Sequence, residues 1–329
     1  MNFQNLQNIE TADKYLDMAF AKASKKSAEL RKNFTGDRLK KSKDIETEKL
    51  DIINNVLCDQ LTKILDSFPS INQLDDFYQE LIKITLDYVY LKKSLGSIKW
   101  AVDRTDNLFR IYRGKIANTA DIKKINSYRQ EFYGRVSSVM KQIKKFLEYV
   151  EHARKVMKDY PSIKTSMPSV CIFGFPNAGK STLLKKLTGA NPEIKAYHFT
   201  TKQLNLGYID LKTRKIQVID TPGTLNRQKM NLIEMQAYLA VKHLASMIVY
   251  VFDPSLEIPL KDQEKLLKNL KSEFKTEIVL YLSKTDVADA DIIKEIKEKH
   301  PTIMSLDDLK EYIIKNTVIK KSETNKLEN

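Results

Sequence analysis

The sequence predicts an α-helical bundle over residues 1–165, then an α/β domain with a mostly parallel, doubly wound sheet over 166–316, then a polar tail at 317–329. Three observations predict it. Apolar residues recur at helical spacing through the first half, where glycine and proline are scarce. Two prolines, Pro161 and Pro168, bracket a short polar segment. Beyond Ser169, short apolar runs alternate with amphipathic ones, the texture of strands alternating with helices. With 329 residues, 42% of them hydrophobic, the chain has ample material for two cores and is not disordered.

The helical elements come first. Ile53, Val56, Leu57, Leu61, Ile64, Leu65 and Phe68 form one stripe. Phe77, Leu81, Ile84, Tyr88, Leu91 and Leu95 form a second beyond Pro69, and their spacing predicts one continuous helical face. Val136, Met140, Ile143, Leu147 and Val150 form a third. Several such faces pack most economically as a bundle. In the second half, strands are predicted at Val170–Phe173, Leu204–Leu211, Lys215–Ile219, Met247–Phe252 and Ile278–Leu282. Helices are predicted from Ser181 to Leu187 and from Lys261 to Leu270, and the residues from Thr317 read as a frayed end.

Charge is unevenly spread. The formal net charge is +14; residues 1–165 carry 31 basic and 22 acidic side chains, and the window 101–165 alone carries 15 against 7. That asymmetry points to a polyanionic partner, nucleic acid or an acidic membrane surface, against the plainer reading of a lysine-rich solvated surface. Two cysteines 113 positions apart, Cys58 and Cys171, give no disulfide framework and fit a reducing compartment. No apolar leader opens the chain and no apolar run is long enough to span a bilayer, so a soluble cytoplasmic protein is expected. His152, His198, His243 and His300 show no metal-ligand spacing.

Gly174-Phe175-Pro176-Asn177-Ala178-Gly179-Lys180-Ser181 matches G-x-x-x-x-G-K-[ST] directly after a predicted strand and before a predicted helix. Such a P-loop needs glycines because its backbone N–H groups converge on phosphate oxygens. Lys180 would reach the β and γ phosphates, and Ser181, followed by Thr182, would place a hydroxyl on Mg²⁺. Asp220-Thr221-Pro222-Gly223, continued by Thr224, follows a second strand, where Asp220 can hold the Mg²⁺ shell and Gly223 approach the γ-phosphate. Between them lies Tyr197-His198-Phe199-Thr200-Thr201, in which Thr201, or else Thr200, can complete the Mg²⁺ coordination. Ser283-Lys284-Thr285-Asp286 ends a later strand. There the Asp286 carboxylate can accept from guanine N1–H and N2–H, a pair of donors adenine lacks, while the Lys284 stem lies along the base; this selects GTP and GDP. Ser305 falls where a last backbone contact to the guanine oxygen is expected. These elements stand in the order of a guanine-nucleotide switch, a P-loop GTPase domain.

At this point the sequence resembles the nucleolar GTP-binding protein branch of the Obg-like GTPases, in a short, archaeal-type form. The resemblance rests on Phe175–Ser181, Ala196–Lys202, Asp220–Gly223, and above all on Asn231-Leu232-Ile233-Glu234-Met235-Gln236-Ala237, followed by Phe252-Asp253-Pro254-Ser255. In the helical half Asp66-Ser67-Phe68-Pro69, Phe77-Tyr78 and Leu147-Glu148-Tyr149 are similar to the family's N-terminal domain. The family pattern has asparagine where this chain has Ser283. The long basic C-terminal extension of eukaryotic members is missing from this sequence. The resemblance implies a GTPase of large-ribosomal-subunit assembly, a monomer whose helical domain contacts ribosomal RNA on large-subunit precursor particles.

Gly223 is followed by Thr224-Leu225-Asn226-Arg227 and not by a water-positioning glutamine; Gln228 stands further on. Slow intrinsic hydrolysis, raised by a partner or a cation, is therefore expected. Asn177 offers a route to K⁺ coordination, with bracing of the P-loop as the alternative. Arg38, Lys40, Lys41, Arg104, Arg110 and Arg113 are the candidate RNA contacts. Phe109 and Tyr112 are candidates either for stacking on bases or for core.

Overall fold

The computed structural model describes residues 3–33, 37–161, 163–189, 205–211, 214–221, 232–255 and 257–327. Among them the helices are α1 (Ala12–Asn33), α2 (Arg38–Ser67), α3 (Asp76–Thr85), α4 (Tyr88–Asn118), α5 (Ile122–Lys158), α6 (Lys180–Thr188), α7 (Leu232–Leu244), α8 (Leu260–Glu273), α9 (Ala290–Lys299) and α10 (Leu306–Leu327). The strands are β1 (Ser169–Phe173), β2 (Asn205–Leu211), β3 (Arg214–Asp220), β4 (Ala245–Phe252), β5 (Glu277–Leu282) and β6 (Thr302–Ile303). The chain divides into two compact units. One comprises Asn2–Gln73 and Leu86–Lys158; the other comprises Leu74–Thr85 and Asp159–Asn329.

The first unit is an all-helical bundle of α1, α2, α4 and α5. Its core takes Leu50, Ile53, Leu57, Leu61 and Ile64 from α2, Leu91, Ile98 and Leu108 from α4, and Phe132, Val136, Met140, Ile143 and Leu147 from α5. Tyr15, Ala19 and Ala23 repeat every fourth residue along α1 and are buried, so one face of that helix is turned to the core. Asp37 caps α2 by accepting from the amides of Leu39 and Lys40, satisfying donors that the first turn leaves orphaned.

A buried charge cluster ties α2 to α5. Glu46, 4% exposed, accepts from Lys49 Nζ at 2.8 Å and from Arg129 Nη1 at 3.4 Å. Removing the carboxylate strands the buried Lys49 ammonium and takes a partner from the half-buried Arg129 guanidinium. Glu46→Ala is therefore expected to destabilise the chain by about 3–5 kcal/mol, read as a lower urea midpoint at unchanged slope. A loss below about 1 kcal/mol would show that water reaches Lys49 as well.

The stripe from Phe77 to Leu95, predicted as one helical face, is broken. Helix α3 ends at Thr85 and α4 begins at Tyr88, because the Asp87 side chain accepts from the Tyr90 amide and caps a new helix. The two pieces also divide between the units, α3 going with the sheet unit and α4 with the bundle. Within the sheet unit the Tyr78 hydroxyl lies 2.8 Å from the Pro161 carbonyl and accepts from the Ile163 amide at 3.0 Å; Lys242 of α7 pairs with Glu80 at 2.9 Å. Periodicity marks a face as buried without saying against what.

The sheet has the order β2-β3-β1-β4-β5-β6, parallel throughout except for the antiparallel β2–β3 pair. Val170 and Ile172 of β1 and Met247, Val249 and Val251 of β4 pack with Leu183, Leu184 and Leu187 of α6 and Leu309 and Ile313 of α10. Tyr250, pointing to the opposite face, reaches α8, where its hydroxyl donates to the Gln263 carbonyl at 2.7 Å. Helices on both faces make the sheet doubly wound, as predicted. Each strand predicted from the sequence is present with its ends moved by two residues at most, and β6 adds a short sixth. The residues from Thr317 to Leu327, expected to be frayed, continue helix α10. Among the described residues no helix is long and apolar enough to cross a membrane.

Candidate nucleotide-binding site

Strands β1, β3, β4 and β5 are parallel neighbours, so the segments after their C-terminal ends share one edge of the sheet. Those segments are the P-loop, Asp220-Thr221, Asp253-Pro254-Ser255 and Ser283–Asp286. In open α/β sheets ligands bind in the crevice at this edge.

The P-loop conformation requires its glycines. Gly174 has φ +150°, and a Cβ there would lie 2.7 Å from the Val251 carbonyl oxygen, a backbone atom that cannot give way. Gly179 has φ +89° and stands at the N-terminus of α6, where a left-handed residue is needed and a side chain would be disfavoured. Asn177, also left-handed at φ 64°, is exposed, as is Pro176, whereas Phe175 is half-buried and Ala178 buried. Asparagine tolerates that backbone better than other side chains. Among the described residues the Asn177 side chain makes no hydrogen bond.

Lys180, 8% exposed, folds back over the loop and donates to the Phe175 carbonyl at 2.7 Å. Ser181 and Thr182 open α6 on its exposed side. The Ser181 hydroxyl donates to Asp220 Oδ2 at 2.6 Å, which brings together the two predicted Mg²⁺ ligands 39 residues apart. A carboxylate and a hydroxyl are the oxygen donors that a hard divalent cation takes, so these residues fit Mg²⁺.

Asn205 also serves Asp220. Its side-chain amide donates to the same Oδ2 at 3.1 Å. Sequence reading passed over it, although the hairpin register Leu211↔Arg214, followed back, sets Asn205 opposite Asp220. Thr221, counted among the nucleotide contacts, is 1% exposed, and its hydroxyl donates to the Ile172 carbonyl at 2.7 Å, tying the end of β3 to β1. Thr200, Thr201, Pro222, Gly223 and Thr224 lie outside the described residues, as do Arg227 and Gln228.

At the base-recognition segment, Ser283 is 8% exposed, and its hydroxyl lies 2.8 Å from the Ala178 carbonyl and 3.0 Å from the Phe252 carbonyl. It therefore ties the P-loop to the ends of β4 and β5. Lys284 sits at φ 49° and pairs through Nζ with Asp253 Oδ2 at 2.7 Å. Burial would push the Asp253 carboxyl up, but the bonds from Lys284 and from the Ser255 hydroxyl and amide outweigh it and hold the carboxyl below the usual carboxylate range. The Asp253 hydrogen bond raises Lys284 in turn, so the lysine is firmly cationic. Gln263 of α8 clamps the Asp253 backbone, accepting from its amide at 2.9 Å and donating to its carbonyl at 2.8 Å. Thr285 is half-buried. Asp286 is exposed, and neither carboxylate oxygen has a partner among the described residues, which leaves both open to a ligand. Ser305 accepts from the Asp308 amide at 3.4 Å and starts α10.

Residues 3–164 match the family described as NOG1 N-terminal helical domain, and residues 169–284 match the family described as 50S ribosome-binding GTPase. Uncharacterized protein MJ1408 of Methanocaldococcus jannaschii is 38% identical over 296 residues, covering 89% of this chain and 83% of that one. The chain belongs to the nucleolar GTP-binding protein family. Nucleolar GTP-binding protein 1 of Drosophila melanogaster is 29% identical over 89% of this chain and 46% of its own length, and that of Caenorhabditis elegans is 28% identical over 87% and 42%. The chain thus spans about half the length of those family members. Among solved structures, the G domain of the T. maritima FeoB iron transporter covers 46% of this chain and 98% of its own at 26% identity and a TM-score of 0.37.

The candidate RNA contacts are spread over two helices of the bundle. Arg38 and Lys40 are exposed in the first turn of α2, and Lys41 Nζ donates to the Arg31 carbonyl at 3.2 Å. On α4, Arg110 pairs with Asp106 at 2.6 Å, Arg113 lies 5.9 Å from the Phe109 ring, and Arg104 is exposed. Phe109 and Tyr112, the candidate stacking rings, are 8% and 3% exposed and belong to the core. Of the aromatic residues of α4, Trp100 is the exposed one, at 43%. Its signal in the sequence was its rarity, one tryptophan in 329 residues, set among Lys99 and Arg104.

Proposed function

We propose that the protein is a GTP-binding and GTP-hydrolysing switch in assembly of the large ribosomal subunit, docking on ribosomal RNA through its helical unit. The observation that carries this reading is the convergence of Lys180, Ser181, Asp220 and Asp286 at one edge of one sheet, in a chain whose other unit holds most of the net positive charge. Lys180 and the P-loop amides hold the phosphates, Ser181 and Asp220 hold Mg²⁺, and Asp286 selects guanine. Mg²⁺ supplies charge neutralisation at the phosphates. Asn177, exposed and without a partner among the described residues, is the candidate K⁺ ligand. Thr201 and Gly223 are assigned to the γ-phosphate from their place in the sequence alone.

The test is co-sedimentation of the full chain with purified large-subunit particles, with a non-hydrolysable GTP analogue and with GDP, across a salt series. Binding that favours the GTP state and weakens steeply with salt is expected. No binding in either state sinks the assembly reading and leaves a GTPase with another partner. Turnover is expected to be faster in K⁺ than in Na⁺; equal rates sink the role of Asn177.

A further inference from the structure

The seam between α4 and α5 in the helical unit holds two adjoining concavities. The first, of about 350 Å³, is lined by Trp100 and Arg104 of α4 and by Arg135 and Gln142 of α5, among others. The second, of about 490 Å³, lies toward Lys93, Gly96 and Phe146 and shares Trp100 and Gln142 with the first. Trp100 therefore stands between the two with its indole 43% exposed. Gly96, one turn earlier on the same helix, leaves the space beside it bare: a Cβ at that position would meet nothing within 4 Å.

The charge around the seam is one-sided. Lys93, Arg104 and Arg135 line it, and no carboxylate does among the described residues. The acidic residues of α4 do not line the seam: Asp106 pairs with Arg110 at 2.6 Å and accepts from the Asn54 amide of α2 at 3.4 Å, and Asp103 is absent from both linings. Arg104 has no ion pair among the described residues. Arg135 commits only Nε, to the Tyr112 hydroxyl at 3.1 Å, which leaves its terminal nitrogens to face the groove.

A half-exposed indole, a primary amide beside it and cations on both sides are what an unpaired base with flanking phosphates requires. We propose that the α4–α5 seam binds single-stranded RNA. Trp100 stacks an unpaired base, Gln142 hydrogen-bonds its edge, and Arg104, Arg135 and Lys93 hold the neighbouring phosphates. This rests on the reading of the helical unit as the RNA-binding part and gives that reading a place. A duplex, whose bases are already stacked on one another, does not fit it.

Trp100 is the chain's only tryptophan, so all tryptophan emission of the full chain reports on this groove. Titration with a single-stranded octamer of uridine or adenosine, followed by emission and by anisotropy of a labelled copy, tests the site. Saturable quenching is expected at the same midpoint as the anisotropy change. Trp100→Ala, at an exposed position, is expected to keep the wild-type unfolding temperature and to weaken binding roughly 5- to 150-fold, the worth of one stacked base. A variant combining Arg104→Ala and Arg135→Ala is expected to lower the slope of log affinity on log salt by about 1.4. Anisotropy binding with unchanged emission, and unchanged affinity in Trp100→Ala, overturns the groove and leaves the RNA reading standing. Preference for a blunt duplex with silent emission does the same. No binding of either RNA by anisotropy overturns both.

Discussion

Replacing Lys180 by alanine is expected to lower kcat/KM for GTP by about 10²–10³-fold, the usual cost of removing one preorganised donor from developing negative charge. The loop that presents the phosphate-binding amides is built by other residues. Gly174 at φ +150° clears the Val251 carbonyl, Asn177 and Gly179 take left-handed backbone, and the Ser283 hydroxyl reaches the Ala178 carbonyl. Lys180 adds one cation, held 2.7 Å from the Phe175 carbonyl on the same loop. A phosphate oxygen is a better acceptor for an ammonium than a neutral carbonyl, so nucleotide draws the side chain off its resting partner. Single-turnover hydrolysis with Mg²⁺, beside a thermal unfolding curve, checks this. Turnover within about threefold of wild type would show that the amides and Mg²⁺ carry the phosphate charge without the lysine.

Much of this arrangement is legible in the sequence, for reasons that particular residues make plain. The P-loop announces itself because positive-φ positions demand glycine or asparagine, and Gly174, Asn177 and Gly179 supply them at fixed spacing. Ser181 and Asp220 are legible because each sits beside a strand end or helix start that the hydrophobic pattern locates on its own. The break at Leu86-Asp87 is not, since Leu81, Tyr88 and Leu91 keep helical spacing across it and only the cap made by Asp87 shows the interruption. Asn205 is legible only once the β2–β3 register is fixed, because its role comes from a cross-strand neighbour 15 residues away. Asp253 is similar: its partner Lys284 lies across the ends of two parallel strands, and strand order is needed to bring them together.

The aromatic residues show the same limit from the other side. Phe109 and Tyr112 stand next to arginines, yet a helix buries one face whatever its sequence neighbours, and both rings fall on the buried one. Trp100 falls on the exposed edge of that same helix. Sequence adjacency to a cation is thus a poor guide to stacking surfaces, whereas angular position around α4 is a good one.

At the other end of the nucleotide site, Asp286→Asn is expected to weaken GTP binding by roughly 10²–10⁴-fold, since one hydrogen bond to a charged acceptor is replaced by a donor–donor clash and the other loses its charge, changes worth together about 3–6 kcal/mol. Both oxygens of Asp286 are free of partners among the described residues, so the carboxylate enters the complex with no internal bond to break. Guanine offers two donors side by side, N1–H and N2–H, and a carboxylate accepts both. The asparagine amide accepts one and sets its own NH₂ against the other. A base carrying a carbonyl in place of the 2-amino group turns that clash into a hydrogen bond, so the variant is expected to prefer xanthosine triphosphate. The surrounding frame is indifferent to the change. Lys284 stays paired with Asp253 and Ser283 stays on the Ala178 carbonyl, so the loss is one of base recognition and not of folding. Equilibrium binding of GTP, ATP and xanthosine triphosphate to both proteins decides it. An Asp286→Asn protein that still prefers GTP to ATP would place guanine recognition elsewhere, and Lys284 with Ser305 would then have to account for it.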